Sequence, residues 1–177
     1  VKFGLELLPI YWIPEPQCDN VERDIFALGG FKYDRYKIFK QIKEISIQLS
    51  LDSFIKVYLP ACSIGRLHEL YRKVKFFFKI GKPSLDDDLI IQEPITTSNY
   101  RHMINSSRII VDTILDKQTG LTSRLIWAVG LGKKIITNNS DIINYPFYNP
   151  RRFCIINVRK VEIPSSFLYD EYNESES

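Results

Sequence analysis

Apolar positions along the chain form short continuous runs that alternate with stretches of helical periodicity. Ile38, Ile42, Ile45 and Leu49 recur on one face of a predicted helix, for which Asp34 is the expected N-cap. Further helices are predicted after Ser63, over 97–105 and over 120–131. The continuous runs have the length and the Ile, Val and Phe content of buried strands, and they cover 24–28, 54–59, 89–92, 108–111, 134–137 and 153–157. Alternating strands and helices predict an α/β fold, a Rossmann-like doubly wound parallel sheet of about six strands.

The chain divides into three parts by composition. Residues 1–20 are apolar and interrupted by prolines, which predicts an extended interdomain connector. Residues 21–168 contain all the predicted strands and form the sheet domain. Residues 169–177 contain four acidic residues and no basic one, which predicts a disordered tail. Because the chain begins with Val1 and shows no signal or transit pattern, we expect a domain cut from a longer polypeptide.

Composition excludes several classes of protein. With 45% hydrophobic and 25% charged residues, the chain is neither disordered nor fibrous. It has no apolar run long enough for a membrane span. The three cysteines, Cys18, Cys62 and Cys154, are too far apart for a disulfide framework or zinc site, so we expect reduced thiols in the cytoplasm. The net charge of +3 suits a phosphate-bearing ligand or an anionic lipid surface without requiring either.

Ligands of doubly wound sheets bind at the carboxyl ends of the strands, where two segments carry suitable chemistry. The first is GGFKYDR at 29–35, which includes Gly30 and Arg35 and follows the first strand. Backbone N–H groups at such a strand-to-helix turn can receive a phosphate. The segment lacks the G-x-G-x-x-G spacing, which disfavours a dinucleotide cofactor. The alternative is a tight glycine turn beside a solvated arginine.

The second segment, residues 112–124, follows a buried strand and enters a helix through Thr119, Gly120, Leu121 and Thr122, with Arg124 close behind. Hydroxyls, free amides and a guanidinium at one helix N-terminus suit a diphosphate. The alternative is a capped helix whose arginine pairs with a neighbouring carboxylate.

The sequence gives little support for a metal site, a hydrolase nucleophile or a P-loop. His68 and His102 are far apart and lack further ligands at metal-binding spacing, so no metal site is predicted. Neither a nucleophile elbow nor a P-loop is present. The basic aromatic run 71–79 is interpreted as an amphipathic helix and the acidic cluster 86–88 as a solvated turn. We expect no nucleic-acid partner.

Several segments together resemble glycosyltransferases of bacterial capsule and lipopolysaccharide biosynthesis. They are QTGLTSR at 118–124, GLGKKIITNN at 130–139, YPFYNP at 145–150 and IPSSF at 163–167. The resemblance continues upstream through the glycine segment to the connector. It implies the C-terminal, donor-binding half of a GT-B architecture, in which two Rossmann-like halves enclose a cleft. It also implies a nucleotide-diphosphate sugar as substrate, no metal or other cofactor, and a saccharide or lipid-linked acceptor held by an N-terminal half outside this chain.

Carried over by residue, the resemblance implies that Gly30, Arg35, the 119–122 helix start and Arg124 face the donor diphosphate; no catalytic residue is assigned. Two positions depart from the family pattern. Trp127 stands where relatives have the acidic residue that holds the donor ribose, and Leu115 with Asp116 replaces a His-Pro pair. These departures predict an altered ribose site, with Trp127 either packed into the fold or blocking that site.

Two functions therefore remain open. One is the nucleotide-sugar-binding domain of a glycosyltransferase, cytoplasmic or peripheral at the inner membrane face and inactive as this fragment alone. The other is a degenerate Rossmann-like module that binds a protein partner or a membrane surface without turnover. The 119–124 segment favours the first and Trp127 favours the second.

Overall fold

The computed structural model describes residues 20–60, 88–115 and 120–170. Within these ranges six strands form one fully parallel sheet in the order β3-β2-β1-β4-β5-β6. The strands are β1 (Arg23–Gly30), β2 (Ser53–Tyr58), β3 (Ile90–Ile91), β4 (Ser107–Asp112), β5 (Lys134–Thr137) and β6 (Phe153–Ile155). The helices are α1 (Tyr33–Gln48), α2 (Thr97–Asn105), α3 (Ser123–Gly130) and α4 (Ser165–Tyr169), with a 3-10 helix at Ser140–Asn144.

The sheet is covered on both faces because successive side chains of a strand point in opposite directions. In β1, Ile25 and Ala27 join the core on the side of α1 and α4, whereas Phe26 and Leu28 join the core on the side of α2 and α3. A sheet buried on both faces needs strands that are apolar throughout. This requirement explains the continuous apolar runs of the sequence.

The structure confirms the predicted fold class. The strand order is that of a Rossmann-like sheet, with the chain running outward from β1 in both directions. The helix over 97–105 and the strand over 134–137 have the predicted bounds. The 3-10 helix and α4 were not predicted, since both are too short for a periodic pattern to appear.

Two local predictions at the first turn are wrong. We placed the strand end at Leu28, but β1 continues through Gly29 and Gly30, which pair with Val57 and Tyr58. We also expected Asp34 to cap α1. The N-cap residue is Lys32, whose side chain makes no capping hydrogen bond, and Asp34 lies in the first turn. A carboxylate there still interacts favourably with the helix dipole.

Several predictions concern residues outside the described ranges. These are the connector apart from Asn20, the helix after Ser63, the basic aromatic run 71–79, residues 86–87 of the acidic cluster, the thiols of Cys18 and Cys62, and the tail beyond Asp170. Their assignments stay predictions, as do the domain boundaries that depend on them. In the part of the chain that is described, no helix combines the length and apolar character needed to cross a bilayer.

Buried basic side chains satisfy the carbonyl groups at helix C-termini. The Lys134 ammonium donates to the carbonyls of Phe167 and Asp170 at the end of α4. The Arg152 guanidinium does the same for Ala128 and Val129 in α3. Burial, the largest cause, lowers the pKa of Lys134. Since a helix end leaves its last carbonyls without intrahelical partners, these contacts fasten α3 and α4 to the sheet.

We expect Lys134→Met to lower the free energy of unfolding by about 1–3 kcal/mol, because the α4 carbonyls lose their buried donor. Chemical denaturation measures the change. The matched control is Lys160→Met, which removes an exposed ammonium that contacts only Glu162 among the described residues. It should have no measurable effect, and equal effects of the two variants would contradict this role of Lys134.

Candidate functional site

The centre of the sheet contains the topological switch point, the crevice between the carboxyl ends of β1 and β4. From β1 the chain builds outward through β2 and β3 on one side and through β4, β5 and β6 on the other. The connections on the two sides therefore diverge and leave a gap where β1 and β4 end. Phe26 pairs with Ile110, so β1 continues to Gly30 beyond the last residue of β4, Asp112.

Arg35, in the first turn of α1, bridges the two sides of this crevice. Its Nη1 donates to the carbonyl oxygen of Gly30 at 2.6 Å. Its Nε donates to Thr113 Oγ1 at 2.7 Å, and its Nη2 donates to the Thr113 carbonyl oxygen at 3.1 Å. The guanidinium thus joins the end of β1 to the residue that follows β4.

Gly29 provides the space for the Arg35 side chain. A Cβ atom on Gly29 would lie 2.9 Å from both Cδ and Nε of Arg35, which is closer than such atoms approach one another. A Cβ atom on Gly30 would meet nothing within 4 Å. Of the two glycines, Gly29 is therefore the one whose missing side chain allows Arg35 to reach Thr113.

Asp112 is the buried carboxylate of the site and has no solvent exposure. Its Oδ1 accepts a hydrogen bond from Thr122 Oγ1 at 2.7 Å and lies 3.5 Å from Arg124 Nη1. Its Oδ2 is buried without a hydrogen-bond partner in the described part of the chain. Burial raises the pKa of Asp112, although Arg124, Thr122 and Arg35 act in the opposite direction.

Arg124 lies on the other side of Asp112, in the first turn of α3. Its Nε donates to Tyr100 Oη at 2.7 Å, and its Nη1 donates to the Val111 carbonyl oxygen at 3.3 Å. Thr122 is the N-cap of α3, and its Oγ1 accepts from the N–H of Leu125 at 3.1 Å while it donates to Asp112. Asp112 therefore fixes the start of α3 and its arginine together.

The charges of the site sum to a net positive value when Asp112 is ionised, because two guanidinium groups oppose one carboxylate. Burial lowers the pKa of Arg35, and the nearby positive charge of Arg124 lowers it further. An anion placed between the two guanidinium groups would relieve this repulsion. The electrostatics of the crevice thus favour an anionic ligand.

The structure brings together part of the predicted set. Gly30, Arg35, Thr122 and Arg124 all belong to the network around residues 111–113. Gly120 is exposed with a φ of 88°, a left-handed conformation that favours glycine. Leu121 packs toward the core of α2 and α3, and Thr119 lies outside the described residues. The carboxylate pairing that we considered for Arg124 is present, with Asp112 as the partner. Whether these residues bind a donor stays a prediction.

The predicted site residues omit four members of this network: Gly29, Tyr100, Asp112 and Thr113. Of these, Gly29, Asp112 and Thr113 lie within the two segments that the sequence singled out. Asp112 and Thr113 carry a signal that could have found them, since they are polar residues that follow directly on the apolar run of β4. Tyr100 has no such signal, because its contact with Arg124 joins helices that are separate in the sequence.

Trp127 packs against neighbouring helix residues. Its ring lies 6.4 Å from the Tyr100 ring, and the guanidinium of Arg101 stands over it at 4.7 Å. It joins the core on the side of α2 and α3 as a partly buried residue. These contacts support a packing role, and its effect on a ribose site stays a prediction.

The described residues give little support to a metal centre or a reactive thiol. No group of three or more His, Cys, Asp and Glu side chains there could hold a metal ion. A cavity of about 750 Å³ lies along β6 and α4, away from the switch point. Cys154 lines it, and burial raises the pKa of this thiol to about 11, so the thiolate that a nucleophile requires is scarce at neutral pH.

Comparison with known proteins does not assign a function to this chain. No protein-family model matches the chain, and no curated protein sequence matches it. Among solved structures, the chain is similar to an α,α-trehalose-phosphate synthase (UDP-forming) from Burkholderia xenovorans, in complex with glucose-6-phosphate. The two share 13% identity with a TM-score of 0.41, over 66% of this chain and 29% of that chain. This chain therefore matches less than a third of the synthase's length.

We expect Gly29→Ala to lower the free energy of unfolding by about 1–2 kcal/mol, because the new methyl group displaces Arg35 from Thr113. Gly30→Ala is the matched control and should change stability by less than about 0.5 kcal/mol. Thermal denaturation measures both. When Arg35 is replaced by Ala, Gly29→Ala and Gly30→Ala should change the free energy of unfolding equally. If Gly29→Ala still destabilises that variant more than Gly30→Ala does, the new methyl group does not act by displacing Arg35.

We expect Trp127→Glu to lower the free energy of unfolding by about 1–3 kcal/mol without strengthening nucleotide binding, since a carboxylate would replace a packed indole. Trp127→Phe is the control that keeps an aromatic ring against Tyr100. Denaturation and nucleotide titration report on the two effects separately. Stronger nucleotide binding by Trp127→Glu would show instead that the indole blocks a ribose site.

Proposed function

We propose that this domain binds the diphosphate of a nucleotide-sugar donor at the switch point and serves as the donor-binding half of a GT-B-type glycosyltransferase. The observation that carries this proposal is the convergence of Arg35 and Arg124 on residues 111–113, at the carboxyl ends of β1 and β4. Guanidinium groups at this position suit a diphosphate, because they donate several hydrogen bonds to anionic oxygens.

Unused hydrogen-bond donors at the start of α3 support the same ligand. Arg124 Nη2 and the backbone N–H groups of Ser123 and Arg124 have no partner among the described residues. The N-terminus of a helix also carries a partial positive charge that favours anions. Together with the net positive charge of the crevice, these groups provide both the attraction and the donors that a diphosphate needs.

The chemical role of these groups would be to stabilise the leaving group. As the bond between sugar and diphosphate breaks, negative charge grows on the departing nucleoside diphosphate. Guanidinium groups already fixed in place stabilise that charge without reorganisation. A reaction with this leaving-group stabilisation would need no metal ion, as the sequence resemblance implies. The lipopolysaccharide or capsular acceptor, the second domain that holds it and a cytoplasmic location at the inner membrane face belong to the proposal through the sequence resemblance alone.

A non-catalytic module is the second candidate, and the hydrogen bonds of Arg35 favour it. All three nitrogens of this guanidinium already donate to Gly30 or Thr113. An arginine that only fastens β1 to β4 would make the same contacts. The two candidates differ in whether a nucleotide perturbs the site.

Titration of the 177-residue chain with UDP, GDP and CMP tests the proposal. We expect one nucleotide to bind and to shift the amide NMR signals of residues 120–124. Arg124→Lys, which keeps a positive charge opposite Asp112, should weaken binding about 10-fold because it loses the planar guanidinium. Arg35→Ala should weaken it about 10- to 150-fold.

The matched control is Arg108→Ala. Arg108 lies near the amino end of β4, where it pairs with Asp24 at 2.9 Å, so its loss should leave nucleotide affinity within about 2-fold. If no nucleotide shifts the amide NMR signals of residues 120–124 at millimolar concentration, the proposal fails and the non-catalytic module is favoured. An equal loss in Arg35→Ala and Arg108→Ala, with none in the charge-conserving Arg124→Lys, would mean that binding depends on overall charge alone.

A further inference from the structure

Tyr100 makes the contact that fixes the orientation of the Arg124 side chain. Its Oη accepts the Arg124 Nε–H at 2.7 Å, the shortest of the hydrogen bonds that this guanidinium makes in the described structure. A guanidinium is planar, so fixing Nε and Nη1 also fixes the direction of Nη2. The hydroxyl of Tyr100 thereby determines where the unused edge of Arg124 points.

The Tyr100 ring is itself held by aromatic neighbours on two elements. It contacts Phe26 of β1 edge to face, with centroids 5.6 Å apart, and Trp127 of α3 at 6.4 Å. Phe26 is fully buried in the sheet. A hydroxyl attached to a ring held this way has a defined position, unlike one on a side chain free to rotate.

The opposite side of Arg124 is fixed by the sheet. Nη1 contacts the Val111 carbonyl oxygen and Asp112 Oδ1, at the longer distances of 3.3 and 3.5 Å. Without Tyr100, only these weaker contacts would orient the guanidinium, and the side chain could turn its Nη2 edge toward Asp112. Nη2 is the donor that remains for a ligand among the described contacts.

We propose that Tyr100 is a positioning residue, which holds Arg124 so that its Nη2 edge is presented to the ligand diphosphate; this inference rests on the proposed function. Tyr100 itself does not contact the ligand, and it affects ligand binding only by holding Arg124. It contributes to affinity by removing the orientational freedom that Arg124 would otherwise lose on binding. The ring contacts with Phe26 and Trp127 belong to packing and are separable from the role of the hydroxyl.

The test is Tyr100→Phe, which removes the hydroxyl and retains the ring. We expect the dissociation constant of the bound nucleotide to rise about 3- to 30-fold, because Arg124 loses its Nε acceptor. In an Arg124→Lys background, which has no Nε–H to position, Tyr100→Phe should change the dissociation constant by less than about 2-fold. Tyr148→Phe is the matched control, since the Tyr148 ring packs on Phe153 at the start of β6. It should leave affinity unchanged.

A second measurement follows Arg124 without any ligand. The Arg124 Nε–H NMR signal should exchange slowly with water in the wild type and rapidly in Tyr100→Phe, because a hydrogen-bonded N–H is protected. This readout separates positioning from general loss of stability, which denaturation of the same variants reports.

The outcomes distinguish the two proposals. If the wild type binds none of the nucleotides, the proposed function fails, and the ligand role of Tyr100 fails with it. If the wild type binds but Tyr100→Phe binds equally well, the nucleotide site stands and the positioning role is overturned. A loss of affinity that is the same in the Arg124→Lys background would also overturn it, because the effect would then not pass through Arg124.

Discussion

The buried carboxylate of Asp112 is the constraint on which the centre of this structure depends. A carboxylate without solvent exposure must find hydrogen-bond donors and positive charge within the protein. Thr122 and Arg124 supply both, and they lie together at the start of α3. The need to satisfy one side chain at the end of β4 therefore fixes where α3 begins and which way its first turn faces.

Arg35 completes the same arrangement from the other side of the crevice. The strands β1 and β4 are neighbours, yet their connections leave in opposite directions, which leaves a gap between their ends. The Arg35 guanidinium joins Gly30 to Thr113 across that gap. Gly29 leaves room for this side chain, whereas a Cβ atom on Gly30 would meet nothing within 4 Å, so Gly29 alone serves the placement of Arg35. The turn conformation itself needs no glycine there, because neither residue adopts a positive φ.

Internal contacts and ligand binding are compatible in such a site. The Arg35 and Arg124 side chains are held by neighbouring oxygens before any ligand arrives, so little conformational freedom remains to be lost on binding. Preorganised positive groups are also the ones that stabilise developing negative charge most effectively. The Arg124 side chain also pairs with the buried carboxylate of Asp112 through Nη1, and its Nη2 remains for a ligand.

The sequence alone determined the elements and their class. Strands and helices could be predicted because their signals, apolar runs and a 3.6-residue period, depend on neighbours within a few positions. It also indicated Gly30, Arg35, Thr122 and Arg124 as candidates, because a strand end followed by a helix start is visible locally. Only the tertiary structure decided which residues meet: Arg35 reaches Thr113 over 78 positions, and Arg124 reaches Tyr100 over 24. Such pairings follow from the order of strands in the sheet and the packing of α2 against α3, which no local pattern encodes.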